Sequence, residues 1–578
     1  MTRIAVIDNT KLKDMDKKKH IQSLCPVNRR GEECIYFQGE KLFIAESLCI
    51  GCGICSNTAP EAIHIINLPE ALKEEPIHRY GQNEFALYSL PTPIFGKVVG
   101  VIGKNGIGKS TAIKVFAGVL KPNLGNHSKE AGYDDLIQFF KGTESQLFFD
   151  KMKKGEIKVS YKPQKVDDIP KVFSGTVREL LKKVDDKNKL DEITEKLDLK
   201  KVLENDVKKI SGGELQRVAI AACVLRDANL YIFDEPTSYL DIKQRLNAAK
   251  FIRELADEKT SVLVVEHDLI ILDYMTDLIH IMYGKPGAYG IVSQPKATRT
   301  GMNVYLSGYL KEENVRFRDK KIEFHLRPPF SKKKLTTLTE WKNLKKKLGN
   351  FELRAEEGGL HKQNVVGVLG ENGIGKTTFV RILAGADEKD SGEITQKIKV
   401  SYKPQYLETG SVPVIAVLKD AMQHKELMTP LQIEPLLYKN LNELSGGELQ
   451  RVAITRCLST EADLFLLDEP SAYLDAEQRL VVSKVIRDFM ELKDKTALVV
   501  DHDLLFVDYL SDELVVFTGE PAVEGDVNGP YPMEEGMNMF LHDIGLTFRR
   551  DDESHRPRAN KPGSQMDRKQ RSEGKLYY

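Results

Sequence analysis

The sequence predicts an α/β protein in which one unit is repeated behind a small cysteine-rich module. Two glycine-rich loops, at residues 103–110 and 370–377, each follow a short apolar strand and open a helical pattern. After each loop come, in the same order, the sequence SGGELQR, an apolar run ending in Asp-Glu-Pro, and a late histidine. Five of the seven cysteines lie in the first 55 residues. The 578 residues exceed the roughly 250–300 residues of a single core, so several domains are expected.

The bulk composition excludes few classes of function. Lys plus Arg and Asp plus Glu both number 85, so the net charge does not indicate a class of partner. The chain shows neither a signal peptide nor an apolar stretch of about 18 residues or more. We therefore expect a cytoplasmic protein, monomeric and without a membrane partner. In a large cytosolic protein, clustered cysteines favour metal binding over disulfides.

Each glycine-rich loop has the composition of a phosphate-binding loop. Backbone N–H groups of such a loop and of the following helix surround phosphates, a lysine reaches the β- and γ-phosphates, and a Ser or Thr ligates Mg²⁺. ATP and Mg²⁺ are therefore the predicted ligands, with Ser110 and Thr377 on the metal. The loop residues predicted to bind ATP are Gly103, Asn105, Gly106, Gly108, Lys109, Ser110 and Thr111 in the first repeat and Gly370, Asn372, Gly373, Gly375, Lys376, Thr377 and Thr378 in the second.

The apolar runs that end in Asp-Glu-Pro supply the rest of a hydrolytic site. Asp234 and Asp468 are predicted to lie beside the metal, where each strand ends. Glu235 and Glu469 follow directly and are suited to polarise the attacking water. Because the ordered set occurs twice, the sequence predicts two ATP-hydrolysing sites.

The sequence SGGELQR resembles the signature of the ABC ATPase superfamily, and the likeness covers most of residues 96–519. It implies two tandem ABC-type nucleotide-binding domains, in which the signature of one domain completes the ATP site of the other. Nucleotide held between two domains favours the closed state, so ATP would close a clamp. The likeness adds the signature residues Ser211, Gly213, Ser445 and Gly447, the Mg²⁺-ligating glutamines Gln164 and Gln405, and the catalytic histidines His267 and His502.

Aromatic side chains before each phosphate loop are candidates for stacking on adenine. Tyr80 and Phe85 precede the first loop, and Trp341 and Phe351 precede the second. Residues that only pack in a core would give the same pattern.

The cysteine module has the spacing of an iron–sulfur site. Cys49, Cys52 and Cys55 form C-x2-C-x2-C, which wraps three corners of a [4Fe–4S] cluster, and Cys25 before Pro26 is the fourth candidate ligand. Zinc is the alternative, because four thiolates also suit it. The repeated two-residue spacing favours the cluster, in a small ferredoxin-like α+β domain.

The boundaries follow from the repeat. About 26 extra residues in the first repeat are predicted to form two short helices at about 133–154, either as a surface decoration or as a partner contact. Segments after each repeat echo one another and are predicted to be hinges across the interface between the two repeats. The last twenty or so residues are polar, so we expect them to be poorly ordered. The predicted domains are 1–72 (iron–sulfur), 73–300 (first nucleotide-binding), 301–330 (hinge 1), 331–530 (second nucleotide-binding) and 531–578 (hinge 2 and tail).

The whole layout resembles the ribosome-recycling ABC ATPases, also called the RNase L inhibitor family or ABC subfamily E. The segments that carry the likeness are LCIGCGIC (48–55), IINLP (65–69), HRY (78–80), NGIGKST (105–111), SYLD (238–241), SAYLD (471–475) and TFRRD (547–551).

The family carries two [4Fe–4S] clusters, and this sequence departs from that pattern. One complete set of ligands is replaced, by Leu12, Lys17, Ile21 and Ala59. The other set, the four cysteines of the predicted site, is intact. We therefore expect one cluster, with Cys34 outside the ligand set.

The resemblance implies an ATPase that splits ribosomes into subunits after termination or stalling and stays on the small subunit during early initiation. Its partners would be the ribosome, a release factor or its stalled-ribosome paralogue, and initiation factors. Clamp closure would move the iron–sulfur domain as a structural lever. The insert and the hinge arginines would contact ribosomal RNA, with salt-sensitive affinity. Those arginines are Arg316, Arg318, Arg549 and Arg550.

Three other classes fit parts of the sequence. The energy subunit of a membrane transporter would have tandem cassettes but no role for the cysteine module. A DNA-repair or chromosome ATPase would carry long coiled coils, and sustained heptads are missing from this sequence. A ferredoxin-type electron carrier with an ATP-driven gate would need redox turnover of the cluster.

Overall fold

Two nine-stranded sheets carry the two repeats. The computed structural model describes residues 3–67, 75–126, 129–324, 336–395, 398–405 and 410–578. The predicted boundaries at 72/73 and 330/331, the end of hinge 1 with Pro328 and Pro329, and the last two residues of the IINLP segment lie outside the described residues.

The cysteine module is a small α+β unit with its own apolar core. Two antiparallel strand pairs enclose this core together with two helices. The strand pairs are Arg3–Ile7 with Ile63–Asn67 and Ile35–Gln38 with Lys41–Ile44; the α-helices are Met15–Leu24 and Ile54–Thr58, and a 3-10 turn spans Asn28–Arg30.

The first cassette is built on a mostly parallel sheet. Strand Val98–Gly103, which leads into the phosphate loop, lies between Ser261–Val265 and Leu278–Lys285 and is parallel to both. All its residues are buried, as expected for a strand covered on both faces. The strands in sheet order are His78–Arg79, Ala86–Leu87, Tyr289–Val292, Leu278–Lys285, Val98–Gly103, Ser261–Val265, Leu230–Asp234 and Val159–Lys162, with Lys296–Ala297 beside Leu278–Lys285. The helices are Lys109–Phe116, Tyr133–Phe139, Glu144–Lys153, Ile169–Val172, Val177–Lys182, Leu190–Lys196, Lys200–Val202 (3-10), Gly212–Leu225, Ile242–Glu254 and Leu269–Met275.

The second cassette repeats this arrangement around strand Val365–Leu369. The strands in sheet order are Ser391–Ile394, Thr337–Leu348, Phe351–His361, Glu524–Pro532, Glu513–Glu520, Val365–Leu369, Thr496–Val500, Leu464–Asp468 and Val400–Lys403. The α-helices are Lys376–Leu383, Val414–Val417, Lys425–Met428, Gly446–Ser459, Ala476–Lys493 and Leu504–Leu510, and 3-10 turns span Asp420–Gln423, Glu434–Leu436 and Leu441–Glu443. The fold class predicted for the repeats, two α/β cassettes in tandem, is confirmed.

The insert packs directly against the helix of the first phosphate loop. Its two helices, Tyr133–Phe139 and Glu144–Lys153, are joined through Gly142, whose φ is +84°. Phe148 and Phe149 place their rings 5.0 and 6.2 Å from that of Phe116, the last residue of the helix that Lys109 begins. The insert is therefore linked to the phosphate-binding helix through packed aromatic rings.

Each hinge forms an ion pair with the cassette of the other half. In hinge 1, Arg318 Nε lies 2.9 Å from Glu477 Oε2 of the second cassette. In hinge 2, Arg558 Nε lies 2.7 Å from Asp273 Oδ2 of the first cassette. The hinge helices are Thr298–Ser307, Met533–Ile544 and Gln565–Glu573, and the strand pairs are Tyr309–Leu310 with Val315–Arg316 and Phe548–Arg550 with Pro557–Ala559.

The expectation that Arg318 contacts ribosomal RNA is wrong. Its side chain is 8% exposed, and Nη1 donates to the Tyr305 carbonyl at 2.7 Å in addition to the ion pair with Glu477. This guanidinium is used inside the interface between the halves and is not available to phosphate.

The prediction that the last twenty or so residues are poorly ordered is also wrong. Helix Gln565–Glu573 begins at Ser564, whose hydroxyl accepts the Asp567 N–H. The Asn560 amide donates to Gln570 at 2.5 Å, and both side chains are buried. Polar composition suggested disorder, but these polar groups bond to one another inside the structure.

Replacing Tyr577 by alanine is expected to lower the free energy of unfolding by about 3 kcal/mol, because it empties a buried aromatic site. Tyr577 is 7% exposed, and its hydroxyl donates to the buried Asp508. Urea titration followed by circular dichroism would measure the change. Tyr438→Ala is the matched control, because Tyr438 is 86% exposed; equal midpoints for the two variants would contradict an ordered terminus.

Candidate active sites

Each phosphate loop ends at a glycine that the fold requires. Gly108 and Gly375 have φ of +94° and +93°, and helices Lys109–Phe116 and Lys376–Leu383 begin directly after them. A Cβ at Gly108 would lie 2.6 Å from the Phe85 ring. The first N–H groups of each helix have no partner within the helix and are therefore available to phosphate.

The two loop lysines are buried beneath these loops. Each ammonium donates to two loop carbonyls at 2.6 to 2.9 Å, and burial lowers the pKa of both lysines, to about 8 for Lys376. These carbonyls are neutral, and a phosphate placed above the loop would give each lysine a negatively charged partner. The acceptors are Gly103 and Lys104 for Lys109, and Gly370 and Glu371 for Lys376.

The predicted metal ligands are paired at each site. Thr377 Oγ1 donates to Asp468 Oδ2 at 3.0 Å, and the Ser110 hydroxyl bonds to Asp234 in the first site. Burial raises the pKa of both aspartates. One hydroxyl and one carboxylate suit Mg²⁺, because its remaining coordination positions are usually filled by water and phosphate oxygens.

The two candidate bases occupy the same strained position in each half. Glu235 and Glu469 both have φ of +47°, a conformation that costs energy for a non-glycine residue. The glutamine Nε2 donates to the glutamate Oε1 at 2.7 Å in both sites. The histidine Nε2 lies 3.5 Å from that oxygen in the first site and 3.7 Å in the second. The predicted Gln, Glu and His are thus brought together twice, as Gln164, Glu235 and His267, and as Gln405, Glu469 and His502.

The two bases differ in their affinity for a proton. Burial opposes ionisation of Glu235, but the neighbouring His267 and the charge of Lys109 bring its pKa down to about 2. Burial and the adjacent Asp468 raise the pKa of Glu469. Burial, with the charge of Lys376, also lowers the pKa of His502 well below its usual value. Two sites with the same motifs therefore have different electrostatics.

The residue before the histidine differs between the halves, and its partner changes with it. Glu266 accepts from the Thr237 hydroxyl at 2.6 Å, whereas Asp501 accepts from the Ser471 hydroxyl at 2.7 Å. Each carboxylate also accepts a backbone N–H from the turn that follows it. The shorter acid is thus paired with the smaller hydroxyl residue, and the local bond is kept.

The first site is completed by the signature of the second cassette. One cavity of about 970 Å³ is lined by the first phosphate loop, Gln164, Glu235 and His267, and also by Ser445 and Gly447. The same cavity extends to Gln405, Glu469 and His502 of the second site. The composite arrangement that the superfamily likeness implied is therefore present at the first site.

Two aspartates that bond across the interface between the cassettes were not predicted from the sequence. The Asn105 N–H donates to Asp475 Oδ2 at 3.0 Å, and the Asn372 N–H donates to Asp241 Oδ2 at 3.1 Å. Each aspartate thus contacts the phosphate loop of the opposite cassette. Both lie in the SYLD and SAYLD segments, so the signal was available as a repeated motif.

Three of the four aromatic candidates lie beside a phosphate loop, and the fourth lies in the core. Tyr80 is 50% exposed in the cavity of the first site, and its hydroxyl bonds to Thr111 at 3.1 Å. Phe85 and Phe351 lie against the glycines that end the two phosphate loops. Trp341 is wrong as an adenine platform, because it is fully buried against Phe379, with ring centroids 5.2 Å apart.

All five cysteines of the first module line one small apolar cavity. They are Cys25, Cys34, Cys49, Cys52 and Cys55, with isoleucines and a valine between them. Thiols in an apolar shell fit the chemistry of an iron–sulfur or zinc site. In the described ranges, no three His, Cys, Asp or Glu side chains are arranged around a single point as for one metal ion.

Comparisons with known proteins agree with this geometry. The sequence model of the family described as ABC transporter matches residues 95–238 and 353–472. ABC transporter E family member 1 of Arabidopsis thaliana is 43% identical over 100% of this chain and 99% of its own length. Translation initiation factor RLI1 of Saccharomyces cerevisiae is 42% identical over 100% and 98%. The chain belongs to ABC subfamily E, the RNase L inhibitor family.

Two solved structures of subfamily E resemble all or most of the chain. A ribosome-bound archaeal Pelota and ABCE1 structure matches 100% of this chain and 99% of its own with a TM-score of 0.93 and 51% identity. A complex of the archaeal stalk protein aP1 and the recycling factor aABCE1 matches 88% and 99% with a TM-score of 0.83 and 52% identity. The family resemblance found in the motifs is confirmed.

As a member of subfamily E, the chain is an ABC-type ATPase that hydrolyses ATP with Mg²⁺. Among the helices that the structure describes, none is long and apolar enough to cross a bilayer.

Proposed function

We propose that this ATPase splits ribosomes into subunits after termination or stalling and then stays on the small subunit. The observation that carries the proposal is the cavity of the first ATP site, which both cassettes line and which lies beside the attachment of the cysteine module. A relative bound to the ribosome with Pelota and a relative named as an initiation factor support the same partners. The partners are therefore the ribosome with its RNA, a release factor or its stalled-ribosome paralogue, and initiation factors.

The proposed chemistry assigns one role to each residue type. Glu235 and Glu469 polarise the attacking water. His267 and His502 each hold the glutamate of their own site and contact the γ-phosphate. Lys109 and Lys376 bind phosphate, while Ser110, Thr377, Gln164 and Gln405 hold Mg²⁺ beside the two aspartates. Ser211, Gly213, Ser445 and Gly447 complete the opposite site. The remaining loop residues bind ATP as the motifs predict, with Tyr80, Phe85 and Phe351 around the base.

The domain division predicted from the sequence is part of the proposal. The proposed domains are the iron–sulfur module (1–72), which clamp closure moves as a lever, the first cassette (73–300), hinge 1 (301–330), the second cassette (331–530), and hinge 2 with the tail (531–578). Arg318 is excluded as a contact with ribosomal RNA, because it is paired with Glu477. The remaining candidates are Arg316, Arg549, Arg550 and the insert.

A sucrose-gradient experiment tests the proposal. Ribosomes of the source organism would be mixed with the chain, ATP and the cognate release-factor pair, and compared with a non-hydrolysable analogue. We expect ATP to convert whole ribosomes into subunits and the analogue to retain the chain on the small subunit. If ribosomes stay whole and the small subunit binds no chain, although ATP is hydrolysed, the proposal is wrong.

The cysteine module is proposed to hold one [4Fe–4S] cluster on Cys25, Cys49, Cys52 and Cys55. The thiols that share one apolar cavity supply the soft ligands that an iron–sulfur cluster needs, and the repeated two-residue spacing favours the cluster over zinc. Where the family has its other ligands, Leu12, Ile21 and Ala59 are packed in the apolar core, and Lys17 pairs with Glu61 at 2.9 Å. The bound cluster would stiffen the module.

Chemical analysis of the protein purified without oxygen is expected to give about four irons and four sulfides per chain. Cys25→Ser should lose most of this iron. Cys34→Ser should keep it, because Cys34 is proposed to lie outside the ligand set. About eight irons per chain, or iron lost equally in both variants, would contradict a single cluster on these four cysteines.

A further inference from the structure

Two lysines are completely buried next to the candidate bases. Lys162 and Lys403 are the last residues of strands Val159–Lys162 and Val400–Lys403, and each is 1% exposed. Each stands two positions before the glutamine that bonds to the base. Neither lies among the residues that line the cavity of the first ATP site, so their role differs from that of the loop lysines.

Both ammonium groups bond to the backbone of the Asp-Glu turn. Lys162 Nζ donates to the Asp234 carbonyl at 3.0 Å and the Glu235 carbonyl at 3.1 Å. In the second half, Lys403 Nζ donates to the equivalent carbonyls, at 2.6 Å to the aspartate and 3.2 Å to the glutamate. The same contact therefore occurs twice in the chain.

The carbonyl of each base accepts a second buried donor. Gln216 and Gln450, on the signature helices, donate to the Glu235 and Glu469 carbonyls at 2.7 and 2.6 Å. In each half, the glutamate carbonyl therefore links the strand that precedes the glutamine to the signature helix. The strained φ of the glutamate persists only if its surroundings fix it, and these two donors do so.

A lysine is a costly choice for packing alone. Burying an ammonium carries a large desolvation penalty that a methionine of similar length would not carry. A residue that is costly to bury and is repeated at the same contact indicates a role in the site.

We propose that Lys162 and Lys403 are positioning residues for ATP hydrolysis, which hold the Asp-Glu turn so that each glutamate carboxylate stays between its glutamine and its histidine. This inference rests on the proposed role of Glu235 and Glu469 as bases. Neither lysine lines the cavity of the first ATP site. Removing one should therefore misplace the base without weakening ATP binding.

The test uses the full-length chain with Lys162→Met and Lys403→Met combined. Misplacing a reacting group by about 1 Å can cost about 100-fold, so we expect kcat to fall by about 30-fold or more. KM and the Kd of a fluorescent ATP analogue should stay within about 3-fold of the parent, because the loops are intact. Ser160→Ala with Ser401→Ala is the matched control, since these buried serines lie in the same strands as the lysines and donate to the Cys223 and Cys457 carbonyls.

A double-mutant comparison separates positioning from general damage. In a background with Glu235→Gln and Glu469→Gln, the lysine changes should lower the residual rate by less than about 2-fold, because groups that act as a unit are not additive. A full further loss would overturn the inference. So would a kcat no lower than that of the serine control, or a Kd that rises by the same factor as kcat falls.

Three further outcomes are decisive. If the methionine variants do not fold, Gln216→Leu with Gln450→Leu removes the other donor to the same carbonyls and should give the same fall in kcat at unchanged Kd; unchanged kcat would overturn the inference. If the Glu→Gln variants hydrolyse ATP as fast as the parent, the proposed bases are wrong. If only the lysine variants keep the parent's rate, the bases stand and the positioning role is wrong.

Discussion

Glu235→Gln or Glu469→Gln is expected to lower ATP hydrolysis at the altered site by about 100-fold or more and to hold the chain on the small subunit. A positioned general base contributes about 10²–10⁴-fold, and glutamine keeps the shape of the side chain while losing its basicity. Both carboxylates accept from a glutamine at 2.7 Å, so an amide can occupy the same place. ATP would still close the clamp, and opening would wait for hydrolysis.

Single-turnover hydrolysis and sedimentation with small subunits would measure the two effects. Glu195→Gln is the matched control, because this exposed carboxylate pairs with Lys200 at the surface, at 3.2 Å. We expect the control to hydrolyse and dissociate as the parent does. Release of both active-site variants at the rate of the parent would refute the assigned bases.

The two carboxylates that these variants remove differ from each other in one respect. The pKa of Glu235 lies near 2, whereas that of Glu469 is raised by burial and Asp468. The two bases therefore do not have the same strength, although their motifs are the same. This difference comes from tertiary surroundings, and no comparison of the two motifs would reveal it.

The sequence predicted what depends on local spacing. The phosphate loops and the Asp-Glu turns are short segments whose geometry is fixed by a few residues, and they occur twice. The Gln, Glu and His of each site are far apart in sequence, but their order along an α/β sheet places them together. The resemblance to the family supplied the composite sites.

The sequence did not predict what depends on distant partners. Arg318 reads as a surface cation in a basic segment, but Glu477, far along the chain, binds it in the interface. Trp341 reads as an exposed platform but lies in the core against Phe379. Lys162 and Lys403 were not singled out from the sequence, because the carbonyls they bind come together only in the folded Asp-Glu turn.

Replacing Arg79 by methionine is expected to keep ATP hydrolysis within about 3-fold of the parent while slowing ribosome splitting by about 10-fold or more, because a paired charge is lost at a buried junction. Arg79 Nη1 and Nη2 donate to Glu46 of the cysteine module at 2.9 and 2.5 Å, a bidentate pair with little exposure. The next residue is Tyr80, which lines the ATP cavity of the first site. This pair therefore links the proposed lever to a residue adjacent to the ATP cavity.

Hydrolysis would be measured in the presence of ribosomes, and splitting by light scattering with the release-factor pair. Lys17→Met is the matched control, since Lys17 pairs with Glu61 on the exposed surface of the same module. Asn83 also holds the module, through bonds to Ile44 at 2.8 and 3.1 Å, so Arg79→Met should leave it attached but less firmly coupled. If hydrolysis and splitting fall by the same factor, Arg79 serves the ATP site and not the lever. If neither changes, clamp closure reaches the module by another route, and Asn83 is the contact to alter next.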